Sequence, residues 1–257
     1  MADLVYQTII ADLKKAINAG AYPSMKLPDE RTLTEHYQVS RSSVKRALNV
    51  MANQGIIFKK RGSGTFINPL YLKSGSFFNY SGSNLGVTDS FKAGDRKPGI
   101  KLLDFQVIKP SAELQRDLFL EPDDFVYEIK RLRLFDDEPF MIETGFIPIK
   151  IMPGLTEKII SGSIFNYLET EKNQEVTRAF LSIFAEPSTQ DDQDQLQLKP
   201  TEPVGIMEGI FFLDDGTPFE FSTMRLHYQY MKYNTFVSVS GAGIDRLFFI
   251  FLNWYDQ

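Results

Sequence analysis

Arg41, Ser42, Ser43, Lys45 and Arg46 fall within six consecutive residues. Guanidinium, ammonium and hydroxyl groups in that density suit contacts to phosphates and to the edges of bases. A second cationic group follows at Lys59-Lys60-Arg61-Gly62-Ser63-Gly64. Its cations can neutralise phosphates, and its glycines allow close approach to a groove. Further on, Arg131 and Arg133 lie two apart, which puts both on one face of a strand. Two guanidiniums on one face need a charge partner. That partner is a neighbour of the Glu128 type, open solvent, or a bound anion. In Gly86-Val87-Thr88-Asp89-Ser90-Phe91, a glycine and hydroxyls in an irregular loop form a candidate anion nest. The chain has no Cys, so disulfides, thiolate metal sites and Cys nucleophiles are excluded. Two His residues, His36 and His227, leave little for a metal site or a His-based triad, and neither a cofactor nor a metal is expected.

The elements that position the first cluster follow from spacing. Val5, Ile9, Leu13 and Ile17 recur at helical spacing, and Gly20 supplies a stop after about Asn18. Asp29 is a good N-cap for a short helix from Glu30 to Tyr37. Gln38 and Val39 turn the chain. Ser40 caps a third helix, Arg41 to about Gln54, with Val44, Leu48 and Met51 facing inward and Gly55 ending it. Two short helices joined by a small turn predict a helix-turn-helix, whose second helix enters a major groove by its first turns. Ile56–Phe58 and Thr65–Ile67 are β-prone, so the basic glycine stretch is the tip of a hairpin wing. Lys14 and Lys15 read as a solvated helix face, Lys26 fits either role, and His36 packs near the turn.

Charge divides the same way. The whole chain of 257 residues is at −5, which on its face argues against nucleic acid. Residues 1–68, however, hold ten Lys and Arg against five Asp and Glu, while the rest holds eighteen against twenty-eight. A basic head on an acidic body is the asymmetry of a nucleic-acid module joined to something else. The start lacks a basic segment followed by an unbroken apolar one, and no apolar run approaches the ~20 residues of a membrane span, so the expected location is the cytoplasm.

The stretch LPDERTLTEHYQVSRSSVKRALNVMANQGIIFKKRGSGTFI resembles the winged helix-turn-helix of the GntR family of bacterial transcription regulators. The resemblance covers residues 4–68. Asp29 stands for the usual Ser, Ser43 for Thr, and Lys45 for Arg, which keeps the charge but loses the bidentate fork. The DNA-contacting set it implies is Arg31, Ser40, Arg41, Ser42, Ser43, Lys45, Arg46, Lys60, Arg61 and Gly62. The partner is a double-stranded, palindromic operator.

Beyond a Gly/Ser-rich stretch, strands and short helices alternate. Strands are expected at Ile100–Ile108, Phe125–Phe135, Phe140–Ile147, Val176–Phe184, Val204–Leu213 and Phe219 to about Tyr233. Helices are expected from a Ser111 cap through Leu118, at Leu155–Ser161, at Ser163–Glu171 and near Gln190–Leu198. That is an antiparallel sheet with a few helices, an α+β ligand domain. RLRLFDDEPFMIETGFIP, then SGSIFNYLE, then DDGTPFEFS resemble the UTRA effector domain of the HutC subgroup over about residues 85–237. The resemblance implies a chorismate-lyase-like fold, a small-molecule effector and a homodimer. For domains that respond to sugar phosphates it implies a phosphate held by Arg131, Arg133, Thr88, Ser90 and Ser163. Glu143 and Glu220 would meet sugar hydroxyls, and Phe91, Phe165 and Tyr228 would line the site. Phe165 departs from the usual Tyr, and the Tyr expected beyond Glu220 aligns with Leu226, with Tyr228 close by.

The organisation expected is a winged helix-turn-helix at 1–68, a linker at 69–84, the UTRA domain at 85–237 and an atypical extension at 238–257. The extension ends in LFFIFLNWY, which fits an added strand, a dimer contact or a loose tail equally well. The function expected is an effector-responsive repressor of carbohydrate-uptake or catabolism genes, released from its operator by a phosphorylated sugar. The alternatives are a non-sugar organic anion as effector, or a sugar-acting enzyme using the carboxylates of Glu143 and Glu220.

Overall fold

A computed structural model describes residues 2–73 and 97–232. They belong to two compact units, one in each segment. The expected Thr88, Ser90 and Phe91 contacts, most of the linker and the extension at 238–257 lie outside the described residues.

In the first unit, α1 (Ala2–Asn18) buries Ile9, Leu13 and Ile17 against α3 (Arg41–Asn53), which contributes Val44, Ala47, Leu48 and Met51. Between them, α2 (Glu30–Tyr37) starts at Asp29, whose Oδ1 accepts from the Thr32 N–H at 2.8 Å. It ends at Gln38, which turns the chain at φ +52. The Ser40 side chain accepts from the Ser43 N–H and so starts α3. Strands β1 (Ile57–Lys60) and β2 (Gly64–Ile67) pair antiparallel, with Lys60 opposite Gly64. The wing turn is therefore only Arg61-Gly62-Ser63, shorter than the basic glycine stretch suggests, because Lys59 and Lys60 are ladder residues. Gly62 sits at φ +72, a backbone conformation that a Cβ disfavours. Pro69–Lys73, where a linker is expected to begin, forms a short helix, α4, whose Tyr71 packs on this core.

The second unit is a six-stranded antiparallel sheet. Its strands are β3 (Pro98–Ile108), β4 (Val126–Phe135), β5 (Glu138–Pro148), β6 (Val176–Pro187), β7 (Pro203–Leu213) and β8 (Pro218–His227), in the order β3-β4-β5-β8-β7-β6. Asp136 and Asp137 make the two-residue β4–β5 turn, both at positive φ, which matches the strands' twist. One face carries the main core. There Ile129, Met141, Met207, Phe211, Met224 and Leu226 pack beneath α6 (Glu157–Ile160) and α7 (Ile164–Tyr167). On the opposite face, α8 (Gln190–Leu196) packs Leu196 on Leu132, Ile142 and Ile206, and α5 (Ala112–Asp117) packs Leu114 on Val126. Asp192 of α8 is fully buried and grips Arg225 of β8 in a bidentate pair at 2.7 and 2.8 Å.

Two elements differ from expectation. The helix after Ser163 lasts one turn and widens into a π turn at Leu168–Lys172. Strand β8 ends at His227 rather than near Tyr233, and Tyr228–Tyr230 form a 3-10 turn. Its neighbour β7 begins at Pro203, so no ladder partner exists on that side beyond the Val204–His227 pair.

Candidate functional site

The cationic surface of the first unit is built on α3 and the wing. Arg41, Ser42, Lys45 and Arg46 are exposed along the first turns of α3, and Ser43 is half-buried. Ser40 ties these turns together, its Oγ lying 2.8 Å from the Ser42 Oγ and 2.9 Å from that of Ser43. The Arg46 guanidinium lies over the Tyr6 ring, 4.1 Å from its centroid. Tyr6 thus pre-orients the cation from α1, a role that α1's spacing does not advertise. Arg31 pairs with Glu35 along α2 at 2.9 Å, with both side chains largely exposed. Lys60, Arg61 and Gly62 are exposed at the wing tip, whereas Lys59 donates to Glu30 and Asn49. Lys26 forms a β-bridge with Phe66 and lies over its ring, so it supports the wing. His36 is exposed against the edge of Tyr37. Lys14 is half-buried rather than solvated, and that burial pulls its pKa down.

The second cluster lies on the core face of the six-stranded sheet. Arg131 and Arg133 project from β4, Glu143 from β5, and Glu220 and Ser222 from β8. All five are buried among apolar neighbours. Arg131 stands directly opposite Glu143 in the ladder. One oxygen, Glu143 Oε2, accepts from Arg131 Nη2 at 2.8 Å, Arg133 Nη2 at 2.8 Å and Arg133 Nε at 2.9 Å. The charge partner of the arginines is therefore Glu143. Glu128 instead accepts from Gln106. Arg131 Nη1 donates to the carbonyls of Ile160 and Gly162, at 3.1 and 3.3 Å, beside α6 and α7. Two buried polar atoms, Arg131 Nε and Ser222 Oγ, have no hydrogen-bond partner among the described residues.

Burial opposes the charge of Glu143, but the two guanidiniums outweigh it and hold its carboxyl below the ordinary value. Burial lowers the Arg133 pKa, against the opposing pull of Glu143. Glu220 goes the other way. Burial and the nearby Glu143 carboxylate push it up to about 8. Near neutral pH the cluster therefore holds two cations, one carboxylate and one neutral acid.

The remaining expected residues divide. Ser163 caps α7 through the Asn166 N–H and directly follows Gly162, whose carbonyl Arg131 reaches. Phe165 meets Phe211 and Phe219 edge-on, as part of the core. The Tyr228 hydroxyl donates to Glu202 rather than to this cluster. Two residues were missed. Ser222 is two positions from Glu220, and Gly145 two from Glu143, so period-2 alternation along each strand could have found both. Gly145 matters because a Cβ there would fall 2.2 Å from Glu220 Oε1; the bare backbone is where the Glu220 carboxyl rests.

Glu143 and Glu220 do not form a free carboxylate pair for hydrolysis, since Glu143 is bound to both arginines. No described helix is long and apolar enough to cross a membrane.

Comparison with known proteins agrees with this division. Residues 5–67 match the model of bacterial regulatory proteins of the gntR family, and residues 93–232 match the UTRA domain. The HTH-type transcriptional regulator GmuR of Bacillus subtilis is 31% identical over 86% of this chain and 92% of its own. The HTH-type transcriptional repressor NagR of the same organism is 29% identical over 84% and 87%. The Mannosyl-D-glycerate transport/metabolism system repressor MngR of Escherichia coli is 28% identical over 85% and 89%. The crystal structure of the possible transcriptional regulator YydK from Bacillus subtilis shares the fold. Its TM-score is 0.71 at 22% identity, over 91% of this chain and 99% of that one. These relatives are regulators, not enzymes. With a DNA-binding head and an effector-domain sheet both matched, the chain belongs to the GntR family of bacterial transcription regulators, in the HutC-type arrangement that joins the head to a UTRA domain.

Proposed function

We propose that the protein is a homodimeric repressor of carbohydrate-uptake or catabolism genes whose effector is a phosphorylated sugar. The head spans residues 1–68, the linker 69–84 and the effector domain 85–237. The observation that carries the reading is the arginine pair set beside unfilled polar atoms on the buried face of the sheet. Arg131 and Arg133 converge on the Glu143 carboxylate, and Arg131 Nε and Ser222 Oγ have no hydrogen-bond partner among the described residues. An anionic group suits such a site. Glu143 Oε1 and the neutral carboxyl of Glu220 suit hydroxyl groups, one accepting and the other able to donate as well. A carbohydrate is further supported by MngR, whose name ties it to mannosyl-D-glycerate.

On the DNA side, two heads meet a palindromic operator with recognition helices in successive major grooves, about 34–36 Å apart. Arg41, Lys45 and Arg46 meet bases or phosphates, with Arg31, Ser40, Ser42 and Ser43 around them, and Lys60, Arg61 and Gly62 approach the adjacent groove. The effector releases DNA to the extent that it prefers the non-binding state.

The test is a thermal-shift screen of phosphorylated mono- and disaccharides beside their unphosphorylated parents. A phosphosugar should raise the melting temperature while its parent does not, and Arg133→Lys should abolish the shift without weakening operator binding. A shift from organic acids alone would replace the sugar phosphate by another anion. An undiminished shift in Arg133→Lys would remove the arginine pair from the site.

A further inference from the structure

On the face of the sheet away from the arginine cluster, directly opposed residues make a straight row across four strands. The row runs through Gln106 on β3, Glu128 on β4, Phe146 on β5 and Phe221 on β8. Gly145 and Glu220, the sequence neighbours of the two phenylalanines, belong to the other face by alternation. Helix α5 covers part of the row through Leu114, which packs on Val126 with Ile108, Phe146 and Phe221 around it. The cover is incomplete. A cavity of about 440 Å³ remains beside the helix, a size that accepts a small organic molecule.

The lining of that cavity combines apolar surface with carboxylates. Phe146, Phe221 and Ile108 are only half-buried, and Leu114 is buried beside them. Glu113 and Asp117 join them from α5, four residues apart and so on one face of the helix, and Glu128 joins from β4. Glu128 accepts from the Gln106 amide through Oε2 at 2.8 Å, which leaves Oε1 for a second donor. Ser111 is occupied as the cap of α5, where it accepts from the Leu114 N–H. Among the described residues that line the space, Lys109 is the one cation, set against three carboxylates. Arg116, outside the lining, approaches Asp117 only loosely, at 3.8 Å.

This composition discriminates among occupants. A phosphate or carboxylate ligand would meet like charge. A neutral apolar ligand would fill the space but offer the carboxylates nothing. An ammonium group on an apolar body satisfies both parts of the lining, because the face of an aromatic ring attracts a cation and a carboxylate accepts a charge-assisted hydrogen bond from it. We propose that this cavity binds an organic ammonium ion with an aromatic or branched-alkyl body, as a second small-molecule site on the reverse of the sheet. The site does not depend on what the arginines hold, since the two clusters favour ligands of opposite charge from opposite faces of β4, β5 and β8.

Calorimetric titration of the full-length protein with four compounds of similar shape tests this: 2-phenylethylamine, its N-trimethyl analogue, 2-phenylethanol and 3-phenylpropanoate. The two cations should bind about tenfold or more tightly than the alcohol, and the anion should bind weakest. Replacing Glu113 and Glu128 together by Gln should weaken the cations by about tenfold, and Phe146→Leu, which keeps apolar bulk but removes a ring, should act in the same direction. Glu138→Gln removes a carboxylate at the other end of β5 and should leave binding unchanged. Melting temperatures will show that each variant folds. Equal binding of alcohol and amine, or no binding of either cation, would overturn the proposal. So would cation binding that survives both the double variant and Phe146→Leu, or that falls as far with Glu138→Gln.

Discussion

Glu143 is the residue on which the buried cluster turns. Its Oε2 accepts three guanidinium N–H groups, and its replacement by a neutral side chain would take the carboxylate from between two buried cations. Breaking a buried ion pair from one side costs about 3–5 kcal/mol. Glu143→Gln should therefore lower the unfolding free energy by about that amount in urea titration; a loss under 1 kcal/mol would mean that Glu220, released from the repulsion of Glu143, ionises in its place. Glu220 makes a separate prediction. Its carboxyl titrates at about 8 when folded and at about 4.3 in an unfolded chain. The folded state binds that proton more tightly, so the stabilisation is complete below about pH 4.3 and is lost as pH rises through about 8. Between these values Glu220 contributes a downward slope of at most about 1.4 kcal/mol per pH unit. Glu220→Gln should flatten the stability profile between pH 6 and 8.5. Parallel profiles for variant and wild type would show that the carboxyl is already ionised.

At the scale of elements, α3 depends on its first residue. Ser40 caps the helix and braces the hydroxyls of Ser42 and Ser43, so Ser40→Ala should cost about 1 kcal/mol. It should also weaken operator binding beyond what stability explains, because the turn that carries Arg41 loosens. Unchanged affinity in an anisotropy titration would separate the cap from the interface. The same helix shows how much the sequence could carry. Cap, turn and apolar stripe are all local, and α1, α2 and α3 lie where residue spacing puts them. The wing turn came out shorter than its glycines suggest because Lys59 and Lys60 are held by cross-strand pairing, which no single strand announces. In the effector domain, alternation placed Arg131 and Arg133 on one face. It did not identify Glu143 as their counter-ion, since that pairing depends on the β4–β5 register. The early end of β8 depends likewise on where its neighbour β7 starts.

For the whole molecule, net charge is a sum over two units with different work. The acidic body contributes repulsion toward DNA and the basic head the attraction, so affinity should fall steeply and linearly in log salt. Removing Lys60 and Arg61 together as alanines should reduce that slope by about 2 if both meet phosphate. An unchanged slope would take the wing tip off the duplex.

Gly145 has a consequence for inheritance as well as for packing. Its missing methyl group leaves the space in which the Glu220 carboxyl rests, so a change to Ala should displace that carboxyl without touching the DNA-binding head. Such an allele would keep its operator and stop hearing its signal. A selection for cells permanently deaf to the effector should return Gly145 substitutions alongside changes in the arginines themselves, and second-site revertants should appear at Glu220 as shorter side chains.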